Sequence, residues 1–315
     1  MAKRERLGDV TFHIGDPRED GPIEDMDAVY QSCLRETQAA RKRTYLWGAD
    51  AGVCPRKNLF NQEFPMPFQY YPSTKGYMAF GVAIEDMLAT ALQDHDRLIK
   101  QDIRLVELKS SYMPHLRISG KMDMIAIDHE DEPCLIECKT CGPLPSKPKQ
   151  NHWTQLQTYA AVSGFNRCYL TYVSRKVSTS GSRGKLDMIT FPIEVTRETM
   201  FNVFYMAALS QCCMDERKIV PMPTHFRKAH ECVWCDFDAY CWPYDESPIE
   251  AFSKEEHDRV KHLSINTAEE LSEQRPERYI ETLEGLIAGR SKEGTKVTDA
   301  DKILIGEYEK SPRPK

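Results

Sequence analysis

The stretch Leu116–Lys139 constrains this chain more than any other. It reads as two strands, LRISGKMDMIAID and CLIECK, with the acidic turn His129–Pro133 between them. β-Branched and aliphatic residues dominate both halves, and turn formers separate them. Side chains alternate across a strand, so Asp123 shares a face with Ile125 and Ile127, and Glu137 and Lys139 share one with Leu135. Two carboxylates and a lysine therefore project from the apolar side of a hairpin. Charges there are costly unless paired or bound to a metal. An edge hairpin with its charges in water is the other arrangement, but the strands are too apolar to leave that face wet.

Helices flank the hairpin. Met78, Val82, Leu88 and Leu92 recur as one stripe over Met78–Gln93, and Glu85 sits in that stripe. An acid on a buried face is a poor core residue and a good metal ligand once other carboxylates converge on it. After the hairpin, Trp153–Val162 predicts a helix that carries Gln155 and Tyr159 as an i, i+4 pair. Further strands are expected near Arg104–Ser110, Arg167–Arg175 and Lys185–Val195. Helices are expected over Ile23–Arg43, Arg197–Arg217 and Pro276–Arg290. This alternation predicts an α/β (α+β) fold. Three segments follow: 1–50 as an N-terminal lead-in and helix, 51–245 as the main domain, and 246–315 as a charged helical tail whose last ~20 residues are weakly ordered.

The 315 residues suffice for one large core or two modest ones, and the formal net charge of −6 does not by itself announce a nucleic-acid binder. No run reaches the ~18 apolar residues of a membrane helix, and the basic N-terminus lacks the apolar segment of a signal peptide. A cytoplasmic protein with no membrane partner is expected. Eleven cysteines is a high count for a reducing compartment, where patterned cysteines suggest metal rather than disulfide. Cys134, Cys138 and the adjacent Cys212 and Cys213 read as packing residues. Cys232, Cys235 and Cys241 have C-x2-C-x5-C spacing and supply three soft ligands, one short of a tetrahedral set. His230 would complete a local zinc site; Cys54, far upstream, would complete an all-cysteine set.

Hydrolysis of a phosphodiester needs an activated water and stabilised charge on the leaving oxygen, and oxygen-held divalent cations provide both. Glu85, Asp123 and Glu137 would supply ligands. Lys139 would orient or help deprotonate the water, or neutralise developing charge, with Gln155 and Tyr159 on phosphate or in the outer shell.

The succession Gly81–Glu85 (G-x-x-x-E), Gly120–Asp123 (G-K-x-D), Glu137–Lys139 (E-C-K) and Gln155–Tyr159 (Q-x-x-x-Y) resembles the PD-(D/E)XK nuclease superfamily, in its RecB-like branch, over roughly residues 50–245. The resemblance implies a restriction-endonuclease-like central mixed sheet flanked by helices. It implies Mg²⁺ or Mn²⁺ held by Glu85, Asp123, Glu137 and the backbone carbonyl of Cys138, with Glu85, Asp123, Glu137, Lys139, Gln155 and Tyr159 as the catalytic set. Glu85 stands where many relatives have His, a departure from the pattern. Cys54 ahead of the motifs and Cys232, Cys235 and Cys241 behind them resemble the layout of iron–sulfur nucleases of the helicase–nuclease and CRISPR-associated exonuclease types. That layout implies a 4Fe–4S cluster in a helical subdomain clasping the two ends of the domain, with zinc at Cys232, Cys235, Cys241 and His230 as the alternative.

The implied activity is a metal-dependent DNA exonuclease on single strands or free ends, in recombination, repair, replication or spacer acquisition. The setting would be a bacterial, archaeal or phage-infected host cell. The sequence has no P-loop of the G-x4-G-K-[ST] type, so a helicase, recombinase or other DNA-processing protein is the expected partner. A non-catalytic or weakly catalytic iron–sulfur DNA-binding scaffold and an RNA-directed nuclease are the competing readings.

Overall fold

The computed structural model describes residues 3–7, 10–14, 36–38, 45–51, 54–64, 68–70, 72–105, 116–175, 187–221, 230–233, 235–241, 248–292 and 297–311. These divide into two compact units, residues 1–40 with 67–79, and 41–66 with 80–315. In the first unit, Lys3–Leu7 pairs antiparallel with Val10–Ile14, and Glu36–Gln38 pairs antiparallel with Phe68–Tyr70. The helix expected over Ile23–Arg43 falls mostly outside the described residues. Its described part, Glu36–Gln38, is a strand, because pairing with an aromatic partner strand overrides a weak helical periodicity.

The second unit is built on a mixed five-stranded sheet flanked by helices. Its strands are β1 (Leu98–Arg104), β2 (Lys121–Ile127), β3 (Pro133–Cys141), β4 (Arg167–Ser174) and β5 (Met188–Glu194), in spatial order β5-β4-β3-β2-β1. All neighbours are antiparallel except β3 and β4, which run parallel. A parallel pair needs a crossover. The helix Gln150–Ser163 supplies it.

The helices are α1 (Pro55–Glu63), α2 (Pro72–Asp94), α3 (Gln150–Ser163), α4 (Arg197–Glu216), α5 (Lys254–Glu273), α6 (Arg275–Lys292) and α7 (Asp299–Lys310). The sheet's first strand lies earlier than expected, at Leu98–Arg104 rather than Arg104–Ser110, and 106–110 are outside the described residues.

Strand parity divides the core as the sequence demands. Ile125, Ile127 and Leu135 pack with Leu156, Tyr159 and Ala160 of α3 in the main cluster. The alternate residues Met124, Ile136 and Cys138 pack with Ile84 and Ala89 of α2 in a smaller one. In α2 the buried residues are Ile84 and Ala89, with Leu88 and Leu92 partly covered, whereas Met78 and Val82 are exposed. The stripe is therefore rotated from the expected one. Periodicity identifies residues that share a face, and contact with β2 and β3 decides which face is covered.

Helices of the charged segment 246–315 pack into the core. Ala268 and Leu271 of α5, Leu283 and Leu286 of α6, and Ala300 and Leu304 of α7 all enter the main cluster. Capping boxes at Ser253 with Glu256 and at Thr298 with Asp301 start α5 and α7. Gly164 ends α3 in the left-handed region at φ 83°, and the Thr282 hydroxyl of α6 donates to the Ser163 carbonyl at 2.9 Å. No helix among the described residues is long and apolar enough to cross a membrane.

Candidate hydrolytic centre and cysteine cluster

Asp123 lies on β2, Glu137 and Lys139 on β3, Glu85 on α2, and Gln155 and Tyr159 on α3. The β2–β3 ladder runs from Ile127 opposite Pro133 to Met124 opposite Ile136. Just beyond it, the Cys138 amide donates to Asp123 Oδ2 at 2.8 Å. A side chain thus takes over from the ladder where the acids gather, and it fixes the Asp123 carboxylate. Glu137 is fully buried. Its Oε1 accepts from Lys139 Nζ at 2.5 Å, while its Oε2 is buried with no hydrogen-bond partner among the described residues. Gln155 Nε2 donates to Tyr159 Oη at 3.1 Å, one turn along α3.

These groups lie within one another's fields. Burial, then the charge of Asp123, pushes Glu85 up to about 7. Burial pushes Glu137 up to about 8, with Asp123 and Glu85 adding to the shift and Lys139 opposing it. Asp123 is raised by burial, against the pull of Lys139 and the Cys138 amide. Burial works against the Lys139 charge, yet Glu137 and Asp123 hold that lysine above its ordinary range. The Tyr159 phenol is pushed up to about 12 by burial and by Glu137. Three carboxyls that each resist ionisation because of burial and mutual repulsion form a site with an appetite for positive charge.

Among the described residues, no three His, Cys, Asp or Glu side chains close on a common point at coordinating distance. The donor set still suits a hard divalent cation. It offers carboxylate oxygens from two strands and a helix, one of them a buried oxygen with no donor among the described residues.

The distal cysteines come back to the start of the unit. Cys54 caps α1, and Cys235 and Cys241 pack into a cluster with Leu59, Phe60 and Phe237. Cys241 bears electrostatically on both Cys54 and Cys235, and burial pushes the Cys54 thiol up to about 11. The Cys235 amide donates to the Cys232 carbonyl at 3.2 Å, the turn that a C-x2-C ligand pair makes. Arg56, buried next to Cys54, donates to Cys241 Sγ at 3.5 Å and to the Val220 carbonyl at 2.8 Å. Thiols far apart in sequence thus share one apolar environment, which fits a sulfur-ligated group. His230 opens the short helix His230–Val233, and its side chain lies outside the described residues.

No protein-family profile matches the chain, and no curated protein matches it. Among solved structures, one titled "Crystal structure of SSO0001" aligns with a TM-score of 0.38 and 16% identity, over 64% of this chain and 88% of that one. A likeness so loose carries no argument about fold or function.

Sequence reasoning missed His152. Its Nδ1 lies 3.0 Å from Tyr172 Oη, which in turn accepts from the Lys149 amide at 3.0 Å. Burial, followed by the charges of Lys139 and Lys149, pushes His152 down to about 4. The signal was present: His152 precedes Gln155 by three residues and so shares its helical stripe.

Proposed function

We propose that this chain is a metal-dependent nuclease that hydrolyses phosphodiester bonds of DNA, acting as an exonuclease on single strands or free ends. The observation that carries the reading is Glu137. It is fully buried, paired through one oxygen with Lys139, without a donor at the other among the described residues, and in the field of Asp123 and Glu85. A core built for stability alone would not keep such a group, because an apolar residue of the same volume serves at least as well.

Glu85, Asp123 and Glu137, with the Cys138 carbonyl, would hold Mg²⁺ or Mn²⁺. The bound ion would supply Lewis acidity and an activated water. Lys139 would orient the attacking water and offset charge as it builds on the phosphorus-bound oxygens. Gln155 and Tyr159 line the same side of the sheet and steady the phosphate or the lysine. Cys54, Cys232, Cys235 and Cys241 would hold a 4Fe–4S cluster in a structural role, with a helicase or recombinase as partner and the cytoplasm of a prokaryotic or phage-infected cell as the setting.

The test is product length over time on 5′- and 3′-labelled single-stranded DNA with Mg²⁺ or Mn²⁺, with and without chelator. Glu137→Ala and Lys139→Ala are each expected to lower the rate by about 100-fold or more. Equal degradation by wild type and both variants would sink the assignment. Binding without cleavage would favour a scaffold, and faster cleavage of RNA would move the substrate class.

A further inference from the structure

We infer that Gly48 and Gly120 are positioning residues: the bare backbones of two adjacent strands form a slot that holds the Tyr159 ring and sets where its hydroxyl stands relative to the Glu137–Lys139 pair. The inference rests on the hydrolytic reading above and gives a role to Gly48, outside its motifs, and to Gly120, which opens the G-K-x-D motif but stands outside the proposed catalytic set.

The two glycines are brought together by a small parallel pairing, Leu46–Trp47 with Ile118–Ser119. Each glycine follows its strand directly. A Cβ on Gly48 would stand 2.2 Å from Tyr159 Cε1 and 3.0 Å from Cδ1 and Cζ. On Gly120 it would stand 2.8 Å from Cε1 and 3.1 Å from Oη. Neither glycine has a positive φ; among described glycines only Gly164 does. The requirement at 48 and 120 is therefore space and not backbone freedom, so alanine fails there only because of the ring.

The slot is anchored. The Gly48 amide donates to the Ser119 carbonyl at 2.7 Å, and the Gly120 carbonyl accepts from the Leu105 amide at 3.0 Å. Leu46, Ala51, Leu105, Leu116 and Ile118 are buried around it. Neither backbone can retreat from the ring without breaking a hydrogen bond. Tyr159 itself is 3% exposed, and its hydroxyl accepts from Gln155 while lying in the field of Glu137 and Lys139. A ring pushed from its slot carries that hydroxyl, and Gln155 with it, away from the lysine. A displacement of about 1 Å at a reacting centre lowers rates by up to about a hundredfold.

The experiment is a double-mutant cycle read in two ways, by thermal midpoint and by kcat and KM on single-stranded DNA. Gly48→Ala is expected to lower the midpoint by about 5 °C and kcat by about tenfold to a hundredfold, with KM within about twofold. Gly120→Ala should act in the same direction and more mildly. In a Tyr159→Leu background, where the ring is gone, Gly48→Ala should add nothing to either readout, and this background also keeps the cycle readable should Gly48→Ala alone fold poorly. An undiminished thermal penalty in that background overturns the slot. Thermal coupling with kcat unchanged in both glycine variants, while Glu137→Ala is inactive, overturns the positioning role and leaves the nuclease reading standing. Thermal coupling in a wild-type protein that leaves DNA intact supports the slot and overturns the nuclease reading.

Discussion

Lys139 Nζ meets Glu137 Oε1 at 2.5 Å, two residues apart on one face of β3, and the two partners differ in access to water. The lysine side chain is 22% exposed and the glutamate side chain 0%. That asymmetry sets what happens when either is removed. Lysine without its partner swings its ammonium to solvent, whereas glutamate without its partner stays buried.

Lys139→Met is accordingly expected to cost about 3 kcal/mol and Glu137→Leu about 1 kcal/mol, with the double variant well short of their sum. Urea unfolding in chelator measures all three. Equal single costs would mean that Glu137 is not buried as described.

Asp128 predicts a pH dependence unconnected with catalysis. Burial opposes its charge, but the Glu130 and Glu132 amides, the Tyr169 hydroxyl and Arg167 together hold its carboxyl below the ordinary aspartate range. A depressed folded pKa contributes stability that is complete above the unfolded value of about 3.9 and is lost as pH falls through the folded one. Asp128→Asn should cost about 1–3 kcal/mol at neutral pH. Its stability should also fall less steeply than wild type below about pH 4. Parallel acid curves for the two proteins would contradict this.

The cysteines predict a composition. Protein purified without oxygen should be brown, with about four irons per chain. Cys54→Ala should lose that iron, and His230→Ala should keep it. About one zinc per chain, insensitive to Cys54→Ala, would instead assign the local site.

Gly164→Ala should cost about 2–4 kcal/mol. A left-handed φ disfavours a Cβ by about 1–2 kcal/mol, and this Cβ would meet the Tyr279 backbone nitrogen at 2.5 Å. The expected signature is a lower urea midpoint with an unchanged slope. A midpoint within error of wild type would show that α3 and α6 do not approach as described.

The hairpin and its charged face were legible because alternation is a local property, and Asp123, Glu137 and Lys139 lie where parity puts them. Gln155 and Tyr159 were legible as one turn of a helix. The slot was not, because Gly48 and Gly120 are remote from Tyr159 in sequence and no spacing rule joins them. Helices α5 and α7 were hidden by charge: their exposed faces read as a solvated tail, although Ser253-x-x-Glu256 and Thr298-x-x-Asp301 marked their starts. The Met78–Val82 face was misjudged because a stripe does not state what will cover it.

One core cluster contains both Leu46 and Leu304. During synthesis, the sheet strands leave the ribosome long before α7, which packs with them. The nascent chain therefore carries an open apolar surface until α7 has emerged. A message cut short before α7 yields a protein with every proposed catalytic residue and an incomplete core, a substrate for proteolysis rather than a smaller nuclease. For a chain proposed to degrade DNA, that dependence on α7 would keep copies lacking it from acting.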